Sequence, residues 1–178
     1  MRFEPLAIAG TMLIESQQHR DERGFFARYY CQEEFAAQGI DFIPVQQSHS
    51  FNASRATLRG MHYQLAPHVE SKLVRCIRGR VFDVVVDLRK DSPDFGKWLG
   101  LELSSEDGRS IYIPPGLAHG FITLEDNCEL QYEMDVPYHQ ASARTLHWNS
   151  SDVGIEWPVQ PVVISEKDSS ANSELAQV

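Results

Sequence analysis

Arg59, His62, Lys72, His119, Tyr132 and Tyr138 are the side chains in this sequence whose types suit anion binding and proton transfer. A guanidinium and an ammonium, here Arg59 and Lys72, suit a diphosphate or an oxygen that gains negative charge during a reaction. An imidazole titrates near neutrality and suits general-base work. The two tyrosines add a second acid and a ring on which a planar group can stack. Taken one at a time, a surface charge or a satisfied core polar group is the simpler account of each. They become a catalytic set only if the fold brings them into one cavity.

The elements that must do so read as strands. Val81 to Arg89 places Phe82, Val84, Val86 and Leu88 on one face at period two, with Asp83 and Asp87 on the other. Leu73 to Ile77 is a similar run, and Arg78-Gly79-Arg80 between the two reads as a tight turn. Further strands are expected at Leu6 to Glu15, Phe25 to Tyr30, Ile43 to His49, Thr57 to Tyr63, Trp98 to Leu103, Ser110 to Ile113, Gly120 to Leu124 and Glu129 to Met134. One helix is expected, Gln32 to Gln38, with Phe35 as its apolar contact and Gly39 as its stop. Many short strands punctuated by Gly and Pro point to an all-β sandwich or barrel. The polar segment from Glu166 to Val178 would ordinarily be read as a frayed tail.

Bulk properties narrow the function classes. The 178 residues suit a single domain, 1–178, with one sizeable core, and no internal linker is evident. The formal charge of −9 argues against a nucleic-acid surface but leaves room for a local cationic cleft that holds an anionic small molecule. No apolar run is long enough to span a membrane, and Met1 to Gly10 lacks a signal-peptide pattern, so a cytoplasmic location is expected. Cys31, Cys76 and Cys128 are widely spaced and odd in number, which argues against a disulfide framework or a zinc site.

Gly108 to His119 reads as a glycine, five residues, Pro-x-Gly, two residues and a histidine, which is similar to the second cupin motif. Pro114 would end a strand, Gly116 would permit a sharp turn, and His119 would then point into the barrel. A plain strand-turn-strand with a buried histidine is the alternative. The first cupin motif supplies His-x-His and then a carboxylate as metal ligands, whereas here the segment is Gly60-Met-His-Tyr-Gln64. Gln64 is a poor substitute for imidazole, and Lys72 nearby would repel a cation, so neither a transition metal nor another cofactor is expected.

Across nearly its whole length the chain resembles the dTDP-4-dehydrorhamnose 3,5-epimerases. The matching segments are Asp21-Glu-Arg-Gly-Phe-Phe26, Leu58-Arg-Gly-Met-His-Tyr-Gln64, Lys72-Leu-Val-Arg-Cys76, Val81 to Arg89, Ser92-Pro93 with Phe95-Gly96, and Ile113 to Phe121. They continue with Trp148-Asn149, Gly154-Ile-Glu-Trp-Pro158 and Ile164-Ser-Glu-Lys-Asp168. The resemblance implies a cupin-type jelly roll that forms a homodimer by strand exchange and acts on a nucleotide sugar of the dTDP-4-keto-6-deoxyglucose kind. It implies His62 paired with Asp168 as the base, Lys72 with His119 on the enolate oxygen, and Tyr132 as the proton donor on the opposite face. Arg23 and Arg59 would bind the diphosphate, with Gln46, Ser50 and Tyr138 lining the pocket. The chemistry agrees: a C–H beside a ketone is a weak acid, so its removal needs a base and a cation together. A carboxylate behind the histidine gives the polar tail a reason to be ordered, and Trp157 and Pro158 are placed to anchor it.

The sequence departs from the family pattern at Arg28, where many members carry a nucleotide-facing Glu. Ser48 stands where Asn is common, and the loop from Phe51 to Ala56 is one residue longer than usual. Tyr138 to Arg144 lacks the usual Pro and Glu. By the resemblance Arg28 and Ser48 are substrate-binding positions; Arg28 means a different base contact, a different nucleotide or simply a surface change, and Ser48 leaves substrate choice open. The competing readings are a single-centre epimerase, a 3,4-ketoisomerase on a dTDP-, CDP- or GDP-linked 4-keto sugar, a non-catalytic sugar-binding subunit and a metal-dependent cupin.

Overall fold

The computed structural model describes residues 1–175. In chain order its elements are β1 (Arg2–Pro5), β2 (Met12–Glu15), β3 (Gln18–Asp21), β4 (Gly24–Ala27), α1 (Gln32–Ala36), β5 (Gln46–Asn52), β6 (Thr57–Gln64) and β7 (Lys72–Arg78). They continue with β8 (Arg80–Asp87), β9 (Trp98–Ser104), β10 (Arg109–Ile113), β11 (Leu117–Thr123), β12 (Cys128–Met134), β13 (Ala143–Thr145), β14 (Val163–Ile164) and α2 (Glu166–Ser169). One sheet has the order β1-β2-β10-β7-β12-β5 and the other β13-β6-β11-β8-β9, with β14 added parallel to β6. Together they form a nearly all-β jelly roll. Among the described residues the β3–β4 hairpin pairs only with itself.

The core between the sheets joins Val74, Ile111 and Leu130 to Val81, Val85 and Phe121. The alternation expected in β8 holds, but both of its faces are buried. Val84, Val86 and Leu88 pack outward against Met61, Ala118, Leu146 and Ile155. Asp83 and Asp87 lie on the opposite face and are also fully buried. A strand covered on both sides needs apolar residues at consecutive positions, and each buried valine contributes about 1.5–3 kcal/mol. A third cluster seats α1 through Phe35, whose ring lies 5.3 Å from Phe3 and 6.0 Å from Phe42.

Several expectations change, and the strand foreseen at Phe25 to Tyr30 stops at Ala27. Leu6 to Thr11 is a turn rather than strand, closed by the Leu6 N–H to Thr11 carbonyl bond of 3.1 Å, because the chain reverses there between antiparallel β1 and β2 with Gly10 left-handed. The strand foreseen at Ile43 starts only at Gln46, after Pro44, and runs on to Asn52. The tail is not frayed over its described part. β14 pairs Val163 with Thr57 and Ile164 with Leu58, and Ser165 caps α2 by accepting the Asp168 N–H at 3.1 Å. Beyond it, the His147 N–H donates to the Asn172 carbonyl at 2.8 Å. Trp157 holds the segment upstream: its ring packs against Phe82, and its indole N–H donates to the Trp148 carbonyl at 3.0 Å.

Candidate active site

β6 and β11 run antiparallel with His62 directly opposite His119. This one register joins the two histidine motifs on the same face of a sheet. The pairing then jumps from His119–His62 to Phe121–Arg59, so β6 carries one extra residue against β11. Residues three apart on a regular strand face opposite ways, and the bulge resets that alternation, so Arg59 and His62 both reach one cavity. Gly60 makes the irregularity possible. Its φ is +138°, and a Cβ there would lie 2.5 Å from the Gly120 Cα.

The cavity has a volume of about 310 Å³, and its walls come from both sheets. His62, Arg59 and His119 stand on one side; Lys72, Tyr132, Gln46 and Ser48 stand on the other. A second cavity of about 330 Å³ shares Arg59 and His62 with the first and is completed by Lys167 and Asp168.

His62 Nε2 lies 2.7 Å from Asp168 Oδ1, and the other carboxylate oxygen accepts the Gly60 N–H at 3.2 Å. Burial works to raise the Asp168 carboxyl, but the His62 ring and the Gly60 N–H outweigh it and hold it below the ordinary carboxylate value. An ionised carboxylate at Nε2 selects the tautomer with its proton there and leaves Nδ1 with a lone pair. The His62 side chain is 41% exposed, so that nitrogen can meet a ligand. Across the cavity, burial pushes the Tyr132 phenol up, against the lowering effect of its bond to Ser50. It therefore stays protonated as a donor, with Ser50 Oγ 3.1 Å from its oxygen. Lys72 Nζ donates to the His62 carbonyl at 3.1 Å and pairs with Glu70 at the same distance. His119 is buried against Tyr132, with ring centroids 6.1 Å apart, and its Nε2 lies 2.8 Å from Asp83 Oδ2.

Arg59 Nε donates to Asn52 Oδ1 at 2.7 Å, which aims the guanidinium along the rim. Gln46 Oε1 accepts the Tyr138 N–H at 3.0 Å and ties down Tyr138, which lines the cavity. Arg23 and Arg28 are not brought here within one chain. Arg23 sits on the β3–β4 turn, bonded through Nε to Asp21 at 3.1 Å, and Arg28 Nη1 lies 3.4 Å from Glu34. Among the described residues the hairpin that carries Arg23 and precedes Arg28 pairs with neither large sheet.

Asp83, Glu70 and Lys167 escaped the sequence reading. Asp83 had a legible signal, a carboxylate inside a valine-rich strand. Glu70 and Lys167 each lie within two residues of a chosen residue, but nothing in the pattern said which way they point. Gln64, standing where a metal-binding cupin needs histidine, is buried and donates to Glu70 at 2.6 Å. Among the described residues no three His, Cys, Asp or Glu side chains group as metal ligands would. No helix among them is long and apolar enough to cross a membrane.

The fold and this cavity define a class, the cupin-like jelly rolls with an acid–base pocket between their sheets. Within that class, the family profile described as dTDP-4-dehydrorhamnose 3,5-epimerase matches residues 5–176, and the chain belongs to that family. An enzyme of that name from Shigella flexneri is 44% identical over 164 residues, covering 90% of this chain and 89% of its own. The crystal structure of a dTDP-4-dehydrorhamnose 3,5-epimerase from Bacillus anthracis with TDP and PPi bound aligns with a TM-score of 0.93 at 34% identity, covering 96% of this chain and 97% of that one. A dTDP-6-deoxy-D-glucose-3,5-epimerase from Legionella pneumophila in complex with dTDP-4-keto-L-rhamnose aligns with a TM-score of 0.91 at 36% identity, covering 96% and 91%.

Proposed function

We propose that this protein is an isomerase that inverts C3 and C5 of a dTDP-linked 4-keto-6-deoxyhexose, converting dTDP-4-dehydro-6-deoxy-D-glucose to dTDP-4-dehydro-L-rhamnose. The observation that carries this reading is the His62–Asp168 pair, whose imidazole lines a cavity with Tyr132 on the opposite wall. His62 Nδ1 takes the proton from the carbon beside the ketone, and the bonding electrons move onto the ketone oxygen as an enolate. Lys72, with His119 from the opposite wall, meets that oxygen and stabilises its charge. At C5 the Tyr132 hydroxyl returns a proton to the face opposite the base, which inverts the centre, and at C3 a water on that face does so; the phenolate and the imidazolium then exchange their protons with solvent. Asp168 stabilises the imidazolium that forms between the two transfers.

Arg59, which lines both cavities, and Lys167, which lines the second, suit the diphosphate. The whole chain acts as one catalytic unit in this reading. A homodimer is part of it. Phe26 on the free hairpin is 73% exposed, and Phe51 on edge strand β5 is 51% exposed, which favours cover by a second copy. Exchange of the hairpin would also carry Arg23 and Arg28 toward a partner's cavity, where Arg28 replaces a carboxylate that is common in the family.

Incubation with dTDP-, CDP- and GDP-linked 4-keto-6-deoxy sugars in heavy water tests the reading. Deuterium should enter the dTDP sugar at both C3 and C5, with the L-rhamno product formed. Exchange at one centre only would make the protein a single-centre epimerase. Hydrogen transfer between C3 and C4 would make it a ketoisomerase, and no exchange with any sugar would favour a binding role.

A further inference from the structure

Glu70 is a carboxylate in the cavity wall that the proton transfers do not use. It and Lys72 are almost fully enclosed, with side chains 11% and 10% exposed, and both line the cavity. An ammonium has three hydrogens. On Lys72 one goes to the His62 carbonyl at 3.1 Å and one to Glu70 Oε1 at 3.1 Å, which leaves one for a ligand. The His62 contact runs through backbone of β6, so it fixes the height of the ammonium beside the base. The Glu70 contact fixes its rotation.

Glu70 is itself held. Its Oε2 accepts from Gln64 Nε2 at 2.6 Å, and the same nitrogen faces the His68 and Pro137 carbonyls at 3.1 and 3.4 Å. Gln64 Oε1 accepts the His139 N–H at 2.6 Å. This last bond decides which way the amide points, so the group facing Glu70 is a donor. Lys72 is a donor too. Residue 70 therefore stands between two donors, and only a carboxylate offers an acceptor to each; an amide offers one.

We propose that Glu70, clamped by Gln64, is a positioning residue that aims the free hydrogen of Lys72 at the ketone oxygen of the substrate. The inference rests on the epimerase reading above. It adds that the oxyanion contact is built in two layers, and that the Gln64 amide links the Lys72 ammonium to the segment carrying Tyr138. A lysine stem is flexible, and a small misplacement of a catalytic group is costly in rate, so the second layer bears on turnover rather than on capture of the nucleotide.

The test measures solvent-deuterium exchange and turnover with the dTDP-4-keto-6-deoxy sugar in Glu70→Ala, Glu70→Gln, Lys72→Ala and the two double variants. Because Lys72 acts where charge develops, Glu70→Ala should lower kcat about tenfold while KM moves less than about twofold. Glu70→Gln keeps one of the two contacts and should lower kcat by about threefold. In the Lys72→Ala background either Glu70 change should alter the rate by less than about twofold, because residues that act as a unit are not additive. Losses that multiply in full with Lys72→Ala would mark Glu70 as merely structural and overturn the role. Parental kcat in both Glu70 variants would do the same. Should the alanine variant fail to fold, the glutamine pair carries the same comparison. A parent protein with no exchange would overturn the epimerase reading and this inference together, whereas normal parental exchange with additive losses would overturn the role of Glu70 alone.

Discussion

Two histidine–carboxylate pairs face each other across the β6–β11 register, and they are alike only in length. His62–Asp168 spans 2.7 Å and His119–Asp83 spans 2.8 Å. The His62 side chain is 41% exposed and that of His119 only 5%. Both Asp168 oxygens are engaged, by His62 and by the Gly60 N–H, whereas Asp83 Oδ1 has no protein hydrogen-bond partner among the described residues. Asp168 arrives from the C-terminal segment, 106 residues along the chain, while Asp83 sits on β8, the strand next to β11. Exposure and partner supply separate a base from a fixture. A ring that must accept a proton needs one nitrogen open to the ligand and a charge-stabilising partner on the other. A ring sealed in the sheet can hold a contact in place but has little room for the substrate carbon.

The sharpest way to break this comparison is to remove each ring in turn. His62→Ala should lower exchange at both C3 and C5 by about 10³-fold, the scale of a lost general base. His119→Ala should cost roughly 10²-fold, the scale of one contact to a developing oxyanion. Deuterium wash-in rates for the two variants check the order, and a reversed order would exchange the roles of the two pairs.

Removing the carboxylates should give crossed results. Asp168→Ala should slow turnover by about 10²-fold or more but lower stability by only about 1 kcal/mol, because the ring it leaves behind is open to water. Asp83→Ala leaves His119 without its partner inside the core and should cost about 3 kcal/mol, with the smaller effect on rate. Thermal melts and steady-state kinetics on the same two samples measure this. Equal effects on both axes would show that the pairs are not specialised.

The smallest expected effect is one of pH. The Asp168 carboxyl is held below its ordinary value of 3.8, against burial, by His62 and the Gly60 N–H. A depressed carboxylate contributes its full stabilisation above the unfolded value and loses it as pH falls through the folded one. The gap in Tm between the parent and Asp168→Asn should therefore be widest near neutrality and close below about pH 4. A gap that stays constant through that window would mean the pair does not stabilise the fold electrostatically.

Legibility in the sequence followed the range of the interactions involved. β7, the Gly79 turn and β8 were readable because alternation and a turn glycine act over a few residues. Helix α1 was readable from Phe35 and Gly39, though it ends at Ala36 rather than at Gln38. β13 and β14 were not, because two or three residues carry no period, and each exists only by pairing with β6. His62, Lys72, His119 and Tyr132 were chosen by residue type and family resemblance, and the structure brings all of them to one cavity. Asp83 and Glu70 were passed over although they touch His119 and Lys72.

The order of residues set which chemistry was available: imidazole, ammonium, phenol and guanidinium on strands, in a chain patterned for two apolar layers. How these groups are used came from the folded arrangement. A β-bulge at Gly60 turned Arg59 and His62 to the same side, and a short parallel strand carried Asp168 back to the ring. Side-chain identity is a local property, but direction and proximity depend on register between strands far apart in the chain. A shift of one residue would reverse every side chain on a strand.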